Sequence, residues 1–503
     1  MNSPAARSDT DASDGLAALE ARLRQDLAWL ELPAPSWVPA HFSDGDRALD
    51  VAIIGGGMAG LAASAELRLL GIDNQRVLDQ AAEGQEGPWV TYARMQTLRS
   101  PKQLTGPALR LPALTFRAWY EAQFGRDQWE QLYKIPRVQW MEYLRWYRRI
   151  LDLPVQNGVR ITAVLPREDG LIELQATGSE TGNQRILARH VVLATGREGL
   201  GGPFVPEVAR ALPAHLYAHS SDDIHFSALR GRRVGMVGAS ASAFDNAASA
   251  LEAGAASVDL FIRRKELPRI NKLTGIGSPG LVHGFLHLPD EWKWRFLHYS
   301  AQTQTPPPRD SVLRVSRHAN ARFHLGSPIL SIEVNTGPRA ASGTEWLTVE
   351  TPKRRYDVDF LIFATGFQSE LDTRPEFAAI APQVRRWRDR FLPGADVLND
   401  ELAASPDLDR NFAFQPRNGH SCPALARIHC FNHAASLTHG KVAGDIPAIS
   451  DGAQRLARAI AAMLFDADRE RHYAALQAFA TAELGGDEWS DPDAGVIAAN
   501  ATP

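Results

Sequence analysis

Apolar positions along the chain fall into short uninterrupted runs, each closed by small residues, and these runs alternate with stretches of helical spacing. Val51-Ala52-Ile53-Ile54 is the length of one buried strand, and it enters Gly55-Gly56-Gly57-Met58-Ala59-Gly60 and a helix-favouring stretch from Leu61 to Leu70. Arg76-Val77-Leu78-Asp79 predicts the next strand. Residues 158–164 and 170–176 alternate as half-buried strands, and His190-Val191-Val192-Leu193 is a buried one ending in Ala194-Thr195-Gly196. The pattern then returns. Arg233-Val234-Gly235-Met236-Val237 runs into Gly238-Ala239-Ser240-Ala241-Ser242-Ala243, Val258 to Ile262 follows, and Val358 to Phe363 reads as one strand ending in Ala364-Thr365-Gly366-Phe367. Nearer the start, Leu16, Leu19, Leu23, Leu27 and Leu30 predict a surface-packed helix over 15–32, capped by Ser13 or Asp14 and ended by Pro33 and Pro35. The small polar residues 1–13 predict disorder.

Strand, glycine turn and helix in that order form a dinucleotide-binding unit. Gly55 allows the tight turn, Gly57 leaves bare backbone for a pyrophosphate, Gly60 lets helix and strand pack closely, and Asp79 stands where a carboxylate accepts ribose hydroxyls. The second unit reads GxSxxA, with Ser240 in the middle position and Ala243 in the last. Its following strand ends in Arg263-Arg264-Lys265 rather than an acid, which suits the 2′-phosphate of NADPH over NADH. The fold class is therefore α/β with two dinucleotide-binding, Rossmann-like domains, the second inserted in the first. The expected boundaries are 1–45 for the disordered N-terminus plus helix and 46–228 for the first part of the first dinucleotide-binding domain. The second domain follows over 229–357, with an insertion at 271–310. Residues 358–503 complete the first domain and add C-terminal helices. The insertion carries Trp292, Trp294, Phe296, His298 and Tyr299 between glycines and prolines, as a mobile cover over a substrate site would.

Composition narrows the function little further. With 503 residues, 44% apolar, 22% charged and a net charge of -4, nothing points to nucleic acid or a membrane surface. No run approaches the length of a spanning helix and no signal peptide opens the chain, so the expected location is the cytoplasm. Cys422 and Cys430 give no disulfide framework, and with His429, His433 and His439 they show neither CxxC nor HExxH spacing, so no metal is expected. A disulfide reductase would need a closely spaced redox pair near the flavin, which these two cysteines do not offer.

Between the two units stand Glu86-Gly87-Pro88-Trp89, Met95-Gln96 with Lys102 and Leu104, Thr115-Phe116 before an aromatic helix, and Pro136-Arg137 leading to Tyr143-Leu144-Arg145-Trp146. This series resembles the class B flavin monooxygenases, and within them the branch that N-hydroxylates lysine and ornithine. Ala364-Thr365-Gly366-Phe367 and Thr438-His439-Gly440 fit the same resemblance, while the family's Phe-Gly-His fingerprint survives only as His219-Ser220. The resemblance implies FAD and NADPH or NADH as cofactors, FAD on the first domain and NAD(P)H on the domain inserted in the FAD domain, with O2 and a small molecule as substrates. One oxygen atom passes from a flavin C4a-hydroperoxide, so the hard chemistry belongs to the cofactor and no acid-base triad is required. Trp89 and Trp140 offer flat surface to a flavin, Gln96 offers hydrogen bonds to its polar edge, and Thr365 and Gly366 lie where the backbone passes close to it. No catalytic residue is assigned; Gln96, Lys102, Asn432 and His439 are the candidates for positioning.

The N-terminal extension, with Met95 to Leu104 and Arg137 to Trp146, is similar to a bacterial offshoot of this class that includes FAD-dependent urate hydroxylases. That likeness implies conversion of urate to 5-hydroxyisourate in purine catabolism. Urate is electron-rich at C5, flat enough to stack on Trp, and anionic enough to pair with Arg94, Arg99 or Lys102. Amine or amino-acid N-hydroxylation is the alternative, with Baeyer-Villiger or heteroatom oxidation beside it. The oligomeric state stays open.

Overall fold

The computed structural model describes residues 9–339, 343–419, 421–490 and 492. The expected disorder of residues 1–8 lies outside them, whereas residues 9–13 are helical: the first helix runs Asp9–Trp29, earlier at both ends than the leucine spacing suggests. Leu16, Leu19, Leu23 and Leu27 pack on the core, but Leu30 lies beyond the helix and is exposed, because the chain turns at Glu31 with φ of 54°.

Two sheets organise the molecule. In the first, Leu49–Ile54 lies between Gln75–Leu78 and Gly182–Leu193, parallel to both, so that Ile54 sits level with Leu78 and Leu193. Val155–Gln156 continues one edge, and Ile428–Cys430 pairs parallel with the second half of the long Gly182–Leu193 strand. The first half of that strand pairs antiparallel with Ile172–Gly178, which pairs in turn with Val159–Pro166. Strands buried on both faces are continuous apolar runs, and the antiparallel ones alternate. The second sheet is all parallel, in the order Tyr217–His219, Phe360–Phe363, Arg233–Val237, Ser257–Ile262 and Ala321–Leu325. A three-stranded antiparallel sheet, Ser331–Arg339, Gly343–Glu350 and Arg355–Val358, stands beside it.

These pairings correct two expectations. Residues 358–363 are not one strand: Arg355–Val358 belongs to the antiparallel sheet and Phe360–Phe363 to the parallel one. Asp359 makes the break, its buried carboxylate accepting the Arg233 backbone N–H at 2.9 Å and pairing with the Arg233 guanidinium. The second sheet also recruits Tyr217–His219, so its strands span 217–363 rather than 229–357.

The Met58–Leu69 helix is buried over most of its surface, between the first sheet and the Ile449–Ala467 helix. Glu66 is caught there at 7% exposure. Burial lifts its carboxyl to about 7, against the neighbouring positive charge of Arg458 and Arg110. An unfolded glutamate titrates near ~4.3, so the folded state holds its proton longer and stability falls as pH rises from there through about 7. Glu66→Gln should therefore stabilise the fold by up to about 3 kcal/mol at pH 8 and much less at pH 5. Urea melts of both proteins at the two pH values check this; an equal effect at both would refute it. Among the described residues, no helix is long and apolar enough to cross a membrane.

Candidate functional site

The two glycine turns repeat one device. Gly55 has φ of 108°, and a Cβ there would stand 2.5 Å from the Ala194 carbonyl oxygen; Gly238 has φ of 131°, and a Cβ there would stand 2.6 Å from the Ala364 carbonyl oxygen. In each unit the strand ending in Ala-Thr-Gly lies against the first residue of the turn. Beneath the first turn, a side chain at Gly60 would collide with the Gly55 carbonyl. Gly57 differs: a Cβ there would meet only the Gly87 Cα, at 3.8 Å, so bare backbone faces open space. Asp79 closes the end of its strand, with one carboxylate oxygen accepting the Gly56 N–H at 2.6 Å and the other the Ala81 N–H at 2.7 Å. These residues fit a dinucleotide: a turn without side chains, a helix N-terminus without a side-chain cap, and a carboxylate held at the strand end.

Both turns open on one cleft of about 2740 Å³. Gly55, Gly57, Asp79 and Trp89 line it from the first unit and Ser240, Arg263 and Arg264 from the second, with Gly366 between. Gly238 and Ala243 lie behind the second turn, Ala243 fully buried in its helix. The Arg264 guanidinium donates to the Gln302 carbonyl at 2.7 Å, while Arg263 is exposed. Thr365 turns away from the cleft and donates its hydroxyl to the Phe204 carbonyl.

The positioning candidates fare differently. Gln96 is exposed and off the cleft, and its neighbours Met95 and Thr97 line it instead. Lys102 is buried over the Trp129 ring, 4.9 Å from its centroid, and donates to the Trp129 and Glu130 carbonyls at 2.5 and 3.2 Å, a structural clasp. Asn432 is fully buried, donating to the Leu193 carbonyl at 3.2 Å and the Thr195 hydroxyl at 3.1 Å while accepting the Ala434 N–H. It ties the Ile428–Cys430 strand end to its neighbour. His439 is fully buried and stacked on Phe412 with ring centroids 3.7 Å apart, its Nε2 facing the Asp409 carbonyl at 2.9 Å. Burial and the nearby Arg455 bring its pKa down to about 3, so it is neutral. Trp140 is fully buried and presents its edge to Trp89 within a cluster with Phe116 and Tyr143, so it supports the cleft wall without forming it. His219 is buried with its edge to Phe367. Apart from exposed Gln96, each of these has a core role, because an aromatic or amide in a sequence motif carries no sign of which way it points.

Arg94 and Arg99 do line the cleft. So does a group the motifs did not reveal: Tyr92, Arg197, His433 and Lys441. The His433 backbone N–H donates to the Gly196 carbonyl at 3.3 Å, which holds its main chain beside the 196–199 turn. Burial first, then Arg197 and Lys441, push its pKa down to about 3. The available signal was its place just beyond the strand Ile428–Cys430, since ligands gather at the C-terminal ends of parallel strands.

The 271–310 insertion lines the cleft through Thr274, Val282, Phe285 and Leu297. It is fastened to the C-terminal part at several points: Asp290 takes a fork from Arg390 at 2.7 and 3.0 Å, the Trp294 indole donates to the Val397 carbonyl at 2.8 Å, and Arg455 donates to the Val282 carbonyl at 3.0 Å. Cys422 and Cys430 are free and buried. His429 pairs with His190 at 3.1 Å, and among the described residues no three His, Cys, Asp or Glu side chains gather as they would around a metal.

Comparison with known proteins agrees with this architecture. A family model described as pyridine nucleotide-disulphide oxidoreductase matches residues 52–275. The ornithine hydroxylase of Pseudomonas aeruginosa superposes with a TM-score of 0.63 at 15% identity, over 83% of this chain and 100% of that one. The FAD-bound cadaverine monooxygenase of Erwinia amylovora superposes at 0.61 and 16% identity, over 83% and 95%. The fold is that of the flavin monooxygenases. Over 480 residues the chain is 39% identical to the FAD-dependent urate hydroxylase of Xanthomonas campestris pv. campestris, covering 95% of this chain and 98% of the relative. The chain belongs to the family of that urate hydroxylase.

Proposed function

We propose that the protein is an FAD-dependent, NAD(P)H-consuming monooxygenase that converts urate to 5-hydroxyisourate. The observation that carries this reading is the pair of like-built glycine turns opening on one cleft, in a chain related along nearly its whole length to a urate hydroxylase. The first unit, built on Leu49–Ile54, holds FAD through Gly55, Gly57 and Asp79. The second, whose strands span 217–363, holds the nicotinamide coenzyme through the Gly238–Ala243 turn, with Arg263 and Arg264 placed for a 2′-phosphate. Bound FAD supplies the redox and oxygen chemistry.

The chain's own residues bind, orient and exclude water. Trp89 gives a flat apolar wall. Arg99, Arg197 and Lys441 give positive charge on a cleft that takes an anion, and neutral His433 accepts or donates a hydrogen bond without adding charge. The overall reaction consumes urate, O2, NAD(P)H and a proton and yields 5-hydroxyisourate, NAD(P)+ and water. The test is coenzyme and O2 consumption by the FAD-loaded protein with urate, followed by the urate absorbance, with ornithine, lysine and cadaverine run in parallel. One urate lost per coenzyme oxidised is the expected result. Urate left intact while an amine is consumed would overturn it in favour of N-hydroxylation.

A further inference from the structure

Three segments around the cleft converge on one guanidinium. Arg314, in the Arg309–Ser316 helix, is 8% exposed. Its Nε and Nη2 grip the Glu252 carboxylate as a fork at 3.0 and 2.7 Å. Glu252 ends the Ala241–Glu252 helix that leaves the second glycine turn. The remaining nitrogen, Nη1, stands 3.5 Å from Asp245 on that same helix and donates to the Arg94 carbonyl at 3.2 Å. Arg94 belongs to the loop that carries Trp89, Met95 and Thr97 into the cleft from the first unit. A second set of contacts closes the same junction: the Arg94 guanidinium lies 5.4 Å from the Phe226 ring centroid, and Lys134 pairs with Asp310 at 3.5 Å. Asp245 is 3% exposed, lines the cleft, and has one carboxylate oxygen without a hydrogen bond, so the Arg314 charge is what balances it there. A lysine would keep the charge but has no planar fork to hold Glu252 and reach the loop at once.

With FAD held by Gly55, Gly57 and Asp79 and the coenzyme by the Gly238–Ala243 turn, NAD(P)H would supply a hydride that oxidised FAD, with a proton from water, would take up, leaving NAD(P)+. That step needs donor and acceptor in near contact although they are held by different units, and a displacement of about 1 Å costs on the order of a hundredfold in rate. We propose that Arg314 is a positioning residue for this step, locking the helix behind the coenzyme turn to the flavin-side loop. The inference rests on the cofactor assignment proposed above. Reaction of already reduced enzyme with O2 alone needs neither a hydride donor in place nor the substrate contacts of Trp89 and Arg99, and so does not depend on this lock.

The test compares wild type, Arg314→Lys and Arg314→Met in three measurements: anaerobic bleaching of bound FAD by NADPH and by NADH, reoxidation of dithionite-reduced enzyme by O2 without urate, and amide hydrogen exchange over residues 88–104 in FAD-free protein. The expected result is bleaching slowed roughly tenfold to a hundredfold in both variants, an unchanged second reaction, and faster exchange over 88–104. Bleaching at the wild-type rate, equal losses in both half-reactions, or unchanged exchange would each overturn the inference while leaving the functional reading intact. Wild-type FAD that neither coenzyme reduces would overturn the functional reading, and this inference with it.

Discussion

Gly57→Ala is expected to give a folded protein that no longer retains FAD. Gly57 caps the Met58–Leu69 helix with φ of −72° and ψ of −174°, a conformation open to any residue, and a methyl there touches only the Gly87 Cα at 3.8 Å. The fold therefore loses at most about 1 kcal/mol, the difference between glycine and alanine at a helix start. The same methyl occupies the space left for a pyrophosphate over the first turn. An overpacked contact costs about 1–3 kcal/mol, which is roughly tenfold to a hundredfold in FAD affinity, and activity at ordinary FAD concentrations falls with it. Flavin content after desalting, read beside the melting temperature, checks this. A variant that keeps stoichiometric FAD would contradict the placement of the cofactor on this turn. Gly60→Ala makes a poor substitute, because its methyl would strike the Gly55 carbonyl and damage the fold itself.

Arg189→Met is expected to destabilise the fold severely at pH 8 and far less at pH 5. Arg189 is 5% exposed between two buried carboxylates, with Asp468 at 2.7 Å and Asp50 at 3.5 Å. Asp50 lies at the start of the central strand of the first sheet and Asp468 stands at the N-cap position of the Arg469–Ala478 helix, so one cation fastens the C-terminal helices to the start of that strand. Burial already raises the Asp50 carboxyl to about 6 despite Arg189. Removing the cation leaves both carboxylates uncompensated, and breaking a buried pair in this way costs about 3–5 kcal/mol. With Arg189 gone, the folded-state pKa of Asp50 rises further above its unfolded value, so the loss is fully present at pH 8 and shrinks towards pH 5 as that carboxylate takes up a proton. Urea unfolding at both pH values measures it. A loss below about 1 kcal/mol at pH 8, the size of an exposed pair, would show that the network does not fasten these elements.

Most of the strands were legible because their signals are local. Val51 to Ile54 and Val234 to Val237 are apolar on both faces, and a strand buried on both faces has no other way to look. The two Ala-Thr-Gly segments were legible for a related reason: the carbonyl of each alanine lies where a side chain at Gly55 or Gly238 would go, so each pair depends on small residues at fixed places. The helix of residues 9–29 was legible in its middle and misplaced at its ends: it begins before the first leucine, and the turn at Glu31 closes it before Leu32.

By itself, then, the sequence determined two glycine turns, the strands that feed them and the class of chemistry they serve, since spacing and periodicity act within a few residues. Only the tertiary structure decided which sheet each strand joins, with Asp359 splitting an apparent single strand between two sheets. It also sent Gln96 outward and drew Lys102, Asn432 and His439 into structural roles, and it brought His433 and Arg197 to the cleft. Arg94 and Arg314 meet although 220 residues separate them. Parallel pairing and side-chain direction depend on partners far away in the chain, and no local pattern encodes them.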